Sequence, residues 1–113
     1  MSRDKHIKKI MNQEMIQQVS ARFKILSDPS RLRIVQILMD GEKNVGQIVD
    51  QMNCSQPNVS KHLQVLYQSG LVTKSKDGNQ ILYAILDPSV YKLCDVMCKA
   101  VLEDAQKQVR KIQ

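Results

Sequence analysis

Nowhere does the chain approach the roughly 20 consecutive apolar residues that a membrane-spanning helix needs. No basic-then-apolar leader precedes the first helical pattern either, so a cytoplasmic protein with no membrane partner is expected. Cysteine is scarce: Cys54, Cys94 and Cys98 make three, an odd number that argues against a disulfide framework and for reduced thiols. Histidine is limited to His6 and His62, far apart in sequence. With no nucleophile–base pair, no glycine-rich phosphate loop and no histidine–carboxylate cluster, the chain is not expected to be an enzyme. It carries no internal repeat and no low-complexity run.

What is present is positive charge and helix punctuation. Seventeen basic against 11 acidic side chains give a net charge of +6 and a pI near 9.4, which suits a polyanion such as DNA and would also suit an acidic membrane surface. The 113 residues have room for one domain (1–113) with a modest core, and so small a domain gains by burying surface against a second copy.

Asn44–Leu71 is the most informative stretch. Asn44 with Gln47 three residues on reads as a capping box, and Val45, Ile48, Val49 and Met52 form one apolar face. Asn53-Cys54-Ser55 breaks the period. Ser55 is a second N-cap just ahead of Pro57, which is tolerated only in a helix's first turn. Val59, Leu63 and Leu66 then recur at helical spacing and point inward, leaving Gln56, Asn58, Ser60, Lys61 and Gln64 outside. Gly70 closes the helix. Two short helices, a tight turn and a polar second helix over 44–69 have the form of a DNA-reading helix-turn-helix, whose amides, hydroxyls and lysine pair with base edges and phosphates; the same residues also suit an ordinary solvated face.

The following residues tip the balance. Leu71–Lys76 reads as a strand, Asp77-Gly78-Asn79 as a turn and Gln80–Leu86 as the returning strand. A hairpin over 71–86 directly after a helix-turn-helix is a wing, and its tip is expected to offer Lys74, Lys76, Asn79 and Gln80 to the DNA backbone or minor groove. The fold class is therefore mainly α with a small β-hairpin, a winged helix-turn-helix.

Upstream, residues 1–11 form a basic arm expected to be partly frayed, and 12–27 a helix carrying Ile16, Val19, Phe23 and Leu26. Asp28-Pro29 caps a further helix in which Leu32, Ile34, Val35, Ile37 and Leu38 are apolar on most sides and which ends at Gly41. Arg31 and Arg33, in its first turns, lie where they can reach phosphates. Asp87-Pro88 opens a last helix over 88–111 with Leu93, Val96, Met97, Ala100 and Val101 on a wide apolar stripe. Such a helix on so small a domain calls for a partner surface. A homodimer formed by the N- and C-terminal helices is expected, presenting two recognition helices to a palindrome; the last helix can alternatively fold back on its own domain.

These residues resemble the ArsR/SmtB family of small dimeric winged-helix repressors. The resemblance rests on Phe23-Lys24-Ile25-Leu26-Ser27-Asp28-Pro29-Ser30-Arg31-Leu32-Arg33-Ile34, on Gly41-Glu42, on Ser55-Gln56-Pro57-Asn58-Val59-Ser60-Lys61-His62-Leu63 and on Gly70-Leu71-Val72, and it covers about residues 15–105. It implies an autoregulated repressor that binds double-stranded operator DNA as a homodimer and is released by a metal, metalloid or thiol-reactive signal. Carried over by position, it implies base reading by Gln56, Asn58, Ser60 and His62 and a phosphate contact by Lys61. On a helical wheel His62 falls at the border of the buried face, so it can equally be a packing residue.

The sensing residues depart from the family's patterns. Where many arsenic and cadmium sensors carry Cys-x-Cys, this chain has Asn44 and Gly46. Where zinc sensors carry Asp-x-His and His-x-x-Glu, it has Asp87 with Ser89 and Ala100 with Glu103, a poor zinc site without imidazoles. The dithiol persulfide sensors place one cysteine in the second helix, and the position here, Gln36, is not cysteine. What remains is Cys94 and Cys98, one helical turn apart, with Cys54 in the turn before the recognition helix. Roughly 5–6 Å between Cβ atoms is too wide for an unstrained disulfide, which needs about 3.8 Å. It suits shared ligation of a soft ion such as As(III), Cd(II) or Cu(I), with a third ligand from elsewhere. An intersubunit disulfide or polysulfide link, and plain core packing, stay open beside it, so no cofactor is assigned. Two further readings are carried: a DNA-binding regulator with no inducer at its cysteines, and a winged helix used for protein binding, which a recognition helix without large apolar anchors disfavours.

Overall fold

A side-chain oxygen opens every helix in the computed structural model, which describes residues 12–112; the expected basic arm lies outside the described residues. Helix α1 (Gln13–Leu26) starts where Asn12 Oδ1 accepts from the Met15 amide at 2.9 Å. Helix α2 (Pro29–Leu38) starts where Asp28 accepts from the amides of Ser30 and Arg31. Helix α3 (Val45–Asp50) carries the capping box between Asn44 and Gln47, both bonds present at 2.8 and 2.9 Å. Helix α4 (Gln56–Gln68) is capped by Ser55, and α5 (Pro88–Ile112) by Asp87, which accepts from the Ser89 amide at 2.8 Å. Pro29, Pro57 and Pro88 all fall in a first turn, where the missing N–H leaves no bond unmade.

Strands β1 (Val72–Asp77) and β2 (Gln80–Ile85) pair antiparallel, with Val72 opposite Ile85 and Asp77 opposite Gln80. The turn therefore contracts from the three residues read in the sequence to Gly78-Asn79. Gly78 has φ +62°, and no non-glycine residue described has positive φ, as in the hairpin turn that takes glycine at its first central position. One isolated bridge lies beside the hairpin: Lys43 and Tyr83 exchange backbone bonds of 3.0 and 2.8 Å. This ties the approach to α3 onto the wing.

The core gathers α2, α3, α4 and the base of the hairpin. Ile34, Val35, Leu38, Ile48, Val59, Leu63 and Leu66 are fully buried, with Leu26, Ile37, Leu71, Val72, Tyr83 and Val90 around them. Each such side chain stabilises the fold by about 1.5–3 kcal/mol relative to exposure. Two expectations for α2 change. The helix ends at Leu38, with Met39 as cap and Gly41 beyond it at φ +127°. Leu32 is 42% exposed, because Ile34, Val35, Ile37 and Leu38 already fill the inward face and Leu32 is rotated toward α5.

Helix α5 extends about 38 Å at 1.5 Å per residue. Among its described side chains only Val90 is buried, while Leu93, Val96, Met97, Val101, Leu102 and Val109 are exposed. On α1, Ile16 and Phe23 are exposed as well. Two large apolar faces thus stand open on the outer helices, whereas the helix-turn-helix is internally packed. None of the described helices is long and apolar enough to cross a membrane.

Candidate nucleic-acid interface and thiol cleft

Helix α4 rests on the core through Val59, Leu63 and Leu66 and turns Gln56, Asn58, Ser60, Lys61 and Gln64 outward, all exposed. The inward positions fix the helix's rotation, so the polar row is held in one direction rather than merely left in solvent. Asn58 is partly engaged, its Nδ2 donating to Cys54 Sγ at 3.6 Å. His62 sits at the border, half-buried, with a buried Nδ1 that finds no partner among the described residues.

The wing divides its residues. Lys76 and Asn79 are exposed toward the turn. Lys74 is mid-strand, opposite Tyr83, and its Nζ lies 5.3 Å from the centre of the Tyr67 ring, within cation–π range. That contact draws it toward the end of α4 and away from the wing tip, where the sequence placed it. Gln80 accepts from Asn44 Nδ2 at 2.8 Å, joining the wing to the cap of α3. Arg31 is half-buried, and its Nε donates to the Ile25 carbonyl at 2.8 Å, so part of the guanidinium ties α1 to α2. Arg33 bonds Gln36 at 2.8 Å and reaches the Gln51 carbonyl at 3.4 Å, next to the turn that leads into α4.

The three thiols fall in two places. Cys54 is half-buried against the core in the α3–α4 turn. Cys94, half-buried, and Cys98, exposed, line a cleft between α2 and α5 with Pro29, Leu32, Arg33, Gln36, Met39 and Asp95, about 470 Å³ in volume. Gln36, where the resemblance would put a second-helix cysteine, lies in this same cleft. Burial pushes the Cys94 thiol above its ordinary range, and the neighbouring Cys98 adds to the shift, since both disfavour the thiolate. The rim carries an Asp95–Lys99 ion pair of 2.9 Å. Among the described residues no three His, Cys, Asp or Glu side chains gather in a way that could hold a metal ion.

Two carboxylates are tuned by capping. The Arg31 amide holds Asp28 below its ordinary value, helped by the charges of Arg31 and His62 and by the Ser30 amide, against some desolvation. The Ser89 amide and hydroxyl do the same for Asp87.

Sequence reading missed Leu32, Gln36 and Met39 as cleft residues. Their i, i+4, i+7 spacing marks a face of α2 separate from the core face, and that was the available signal. The Asn44–Gln80 and Lys43–Tyr83 links left no periodic trace, because pairings between distant segments have none.

Helices packed around a helix-turn-helix, with a two-stranded wing behind it, define a winged-helix regulator. Residues 28–74 match the model of the bacterial regulatory protein family of the ArsR type. The chain is 40% identical over 80 residues to an arsenical resistance operon repressor of Staphylococcus aureus, covering 67% of this chain and 77% of that one. It is 38% identical over 71 residues to a probable mercury resistance operon repressor of Streptomyces lividans, covering 63% of this chain and 57% of that protein. Its fold matches the solution structure of a homodimeric winged helix-turn-helix DNA-binding domain from Mycobacterium bovis, described as a possible ArsR-family regulator, with a TM-score of 0.76 at 26% identity over 83% of this chain and 87% of that one. The chain belongs to the ArsR family of transcriptional regulators, and its family role is DNA-binding repression rather than catalysis.

Proposed function

We propose that the protein is a homodimeric repressor that binds a palindromic operator in the cytoplasm and is released when a soft metal, a metalloid or a thiol-reactive species acts at Cys94 and Cys98. Base reading falls to Gln56, Asn58, Ser60 and Gln64, with His62 at the edge of the row. Lys61, Lys74, Lys76, Asn79 and Arg31 supply backbone contacts, and Cys54 is a lesser thiol site. The observation that carries the DNA assignment is the fixed rotation of α4, which turns a continuous row of amides, hydroxyls and one lysine outward.

Dimerisation is supported by the apolar side chains left open on α1 and α5, Ile16, Phe23, Leu93, Val96, Met97 and Val101. Surfaces of this kind mark an interface, and the similar Mycobacterium bovis domain is described as homodimeric. The names of the Staphylococcus and Streptomyces relatives, arsenical and mercury resistance repressors, agree with a thiophilic signal. A second reading, an inducer-free regulator, draws on the half-buried state of Cys94 and Cys54, which suits plain packing.

The test is fluorescence anisotropy on DNA from upstream of the protein's own coding sequence, with and without arsenite, Cd(II) and an organic polysulfide. Release of wild type by one agent, and no release of the Cys94→Ser/Cys98→Ser variant, is the expected outcome. Binding that persists under all three favours the inducer-free reading.

A further inference from the structure

We infer that Asn58 reads an adenine in each operator half-site, and that Cys54 is the positioning residue that makes it choose adenine over guanine. This rests on the reading of α4 as the base-reading helix and names both the base and the contact that selects it.

Asn58 is the third residue of α4 and exposed, in the first turn, where a recognition helix meets base edges. Ser55 Oγ accepts from its backbone amide at 3.4 Å. At the same place in α3, Gln47 sends its side-chain oxygen back to the Asn44 amide and closes a capping box. Asn58 is one methylene shorter and bonds differently: its Nδ2 donates to Cys54 Sγ at 3.6 Å. The sulfur is a fixed anchor, because Cys54 is half-buried and packed against the core. The Asn58 amide is thus tied at one hydrogen to the body of the domain.

A carboxamide has two N–H donors and one carbonyl acceptor. With both donors free it can serve either purine, since a donor beside an acceptor matches adenine N7 and N6–H₂, and two donors match the N7 and O6 acceptors of guanine. Giving one donor to the sulfur removes the second arrangement. One N–H and Oδ1 remain, and they pair with adenine, whereas guanine would set its O6 against Oδ1 and leave two acceptors facing each other. Helix α4 contains no arginine, the side chain that most often reads guanine with two bonds. A thiol sulfur is a weak acceptor, so Cys54 shifts the choice several-fold and does not make it absolute.

The full-length protein and its variants each select from a duplex library with a randomised centre, and the bound sequences are read base by base. Wild type should select an inverted repeat with an adenine in each half whose enrichment Asn58→Ala lowers by about tenfold or more. Cys54→Ala should lower the adenine-to-guanine ratio at that position about threefold, leaving the other positions and the salt dependence unchanged. Cys54→Ser, whose hydroxyl is again an acceptor, should restore it. A measurement on the unaltered protein guards against variants that fail to fold: 7-deazaadenine at that position, which lacks the N7 acceptor, should weaken wild type by about tenfold and leave Asn58→Ala unaffected. A G·C pair at the Asn58-dependent position, or 7-deazaadenine bound as tightly as adenine, overturns the inference. A Cys54→Ala protein weakened alike for every base overturns the role of Cys54. A selected repeat that Asn58→Ala leaves unchanged overturns this inference alone, and wild type without preference at any position overturns the reading of α4 together with it.

Discussion

Asn44 Nδ2 donates to Gln80 Oε1 at 2.8 Å, so the residue that caps the first helix of the helix-turn-helix also holds the first residue of the returning wing strand. Asn44 Oδ1 at the same time accepts from the Gln47 amide. Asn44→Ala removes a cap and a wing tie together and should cost about 0.5–2 kcal/mol in urea unfolding. Gln80→Ala removes only the tie, at an exposed position, and should stay within about 0.5 kcal/mol of wild type while weakening DNA binding. Equal costs for the two changes would mean that the cap contributes nothing beyond the tie.

On α4 the side chains separate by what they touch. Gln56→Ala and Ser60→Ala should each lower discrimination between operator and scrambled duplex by roughly 1–3 kcal/mol. Lys61→Ala and Lys76→Ala should weaken both duplexes alike and reduce the slope of log affinity against log salt by about 1. Anisotropy at several salt concentrations reads both effects.

Leu63 and Leu32 both read as core in the sequence, yet one is fully buried and the other 42% exposed. Leu63→Ala should cost about 2–5 kcal/mol. Leu32→Ala should change stability by about 0.5 kcal/mol or less, since the cleft already leaves it in water. Chemical denaturation of the two variants compares them directly.

Cys94 gives a pH signature. Its thiol is held above the ordinary range by burial and by Cys98, so the folded state keeps the proton more tightly than the unfolded one. The stability contributed by protonated Cys94 is therefore complete below the ordinary thiol range and is lost as pH rises through the folded value. Asp28 and Asp87 have the opposite sign: their lowered values contribute above the ordinary carboxylate range and are lost as pH falls through the folded ones. Alkylation followed by peptide mapping should show Cys98 reacting before Cys94 at neutral pH, the difference narrowing in alkali.

The elements were legible because their ends are written locally. Asp28, Ser55 and Asp87 with their prolines, and Asn44 with Gln47, mark helix starts, and Gly70 and Gly78 mark an end and a turn, each through a bond or dihedral made within a few residues. The inward row Val59, Leu63 and Leu66 was legible for the same reason. Contacts made by tertiary approach were not. Lys74 over Tyr67, Arg31 on the Ile25 carbonyl and the Lys43–Tyr83 bridge depend on how the hairpin and α1 lie against the rest. Neither composition nor period carries that information. The thiol pair was visible as i, i+4, whereas its apolar partner wall on α2 emerged only once α5 was packed beside it.

Sequence-specific DNA binding through α4 is the property on which the proposed function rests. Anisotropy with a duplex from the protein's own upstream region and with a scrambled duplex, for wild type and Gln56→Ala/Ser60→Ala, tests it. Wild type should prefer the upstream duplex by at least about tenfold, and the double variant should lose most of that preference while retaining salt-sensitive binding to both. Equal affinity of wild type for the two duplexes, or an undiminished preference in the variant, would contradict the assignment.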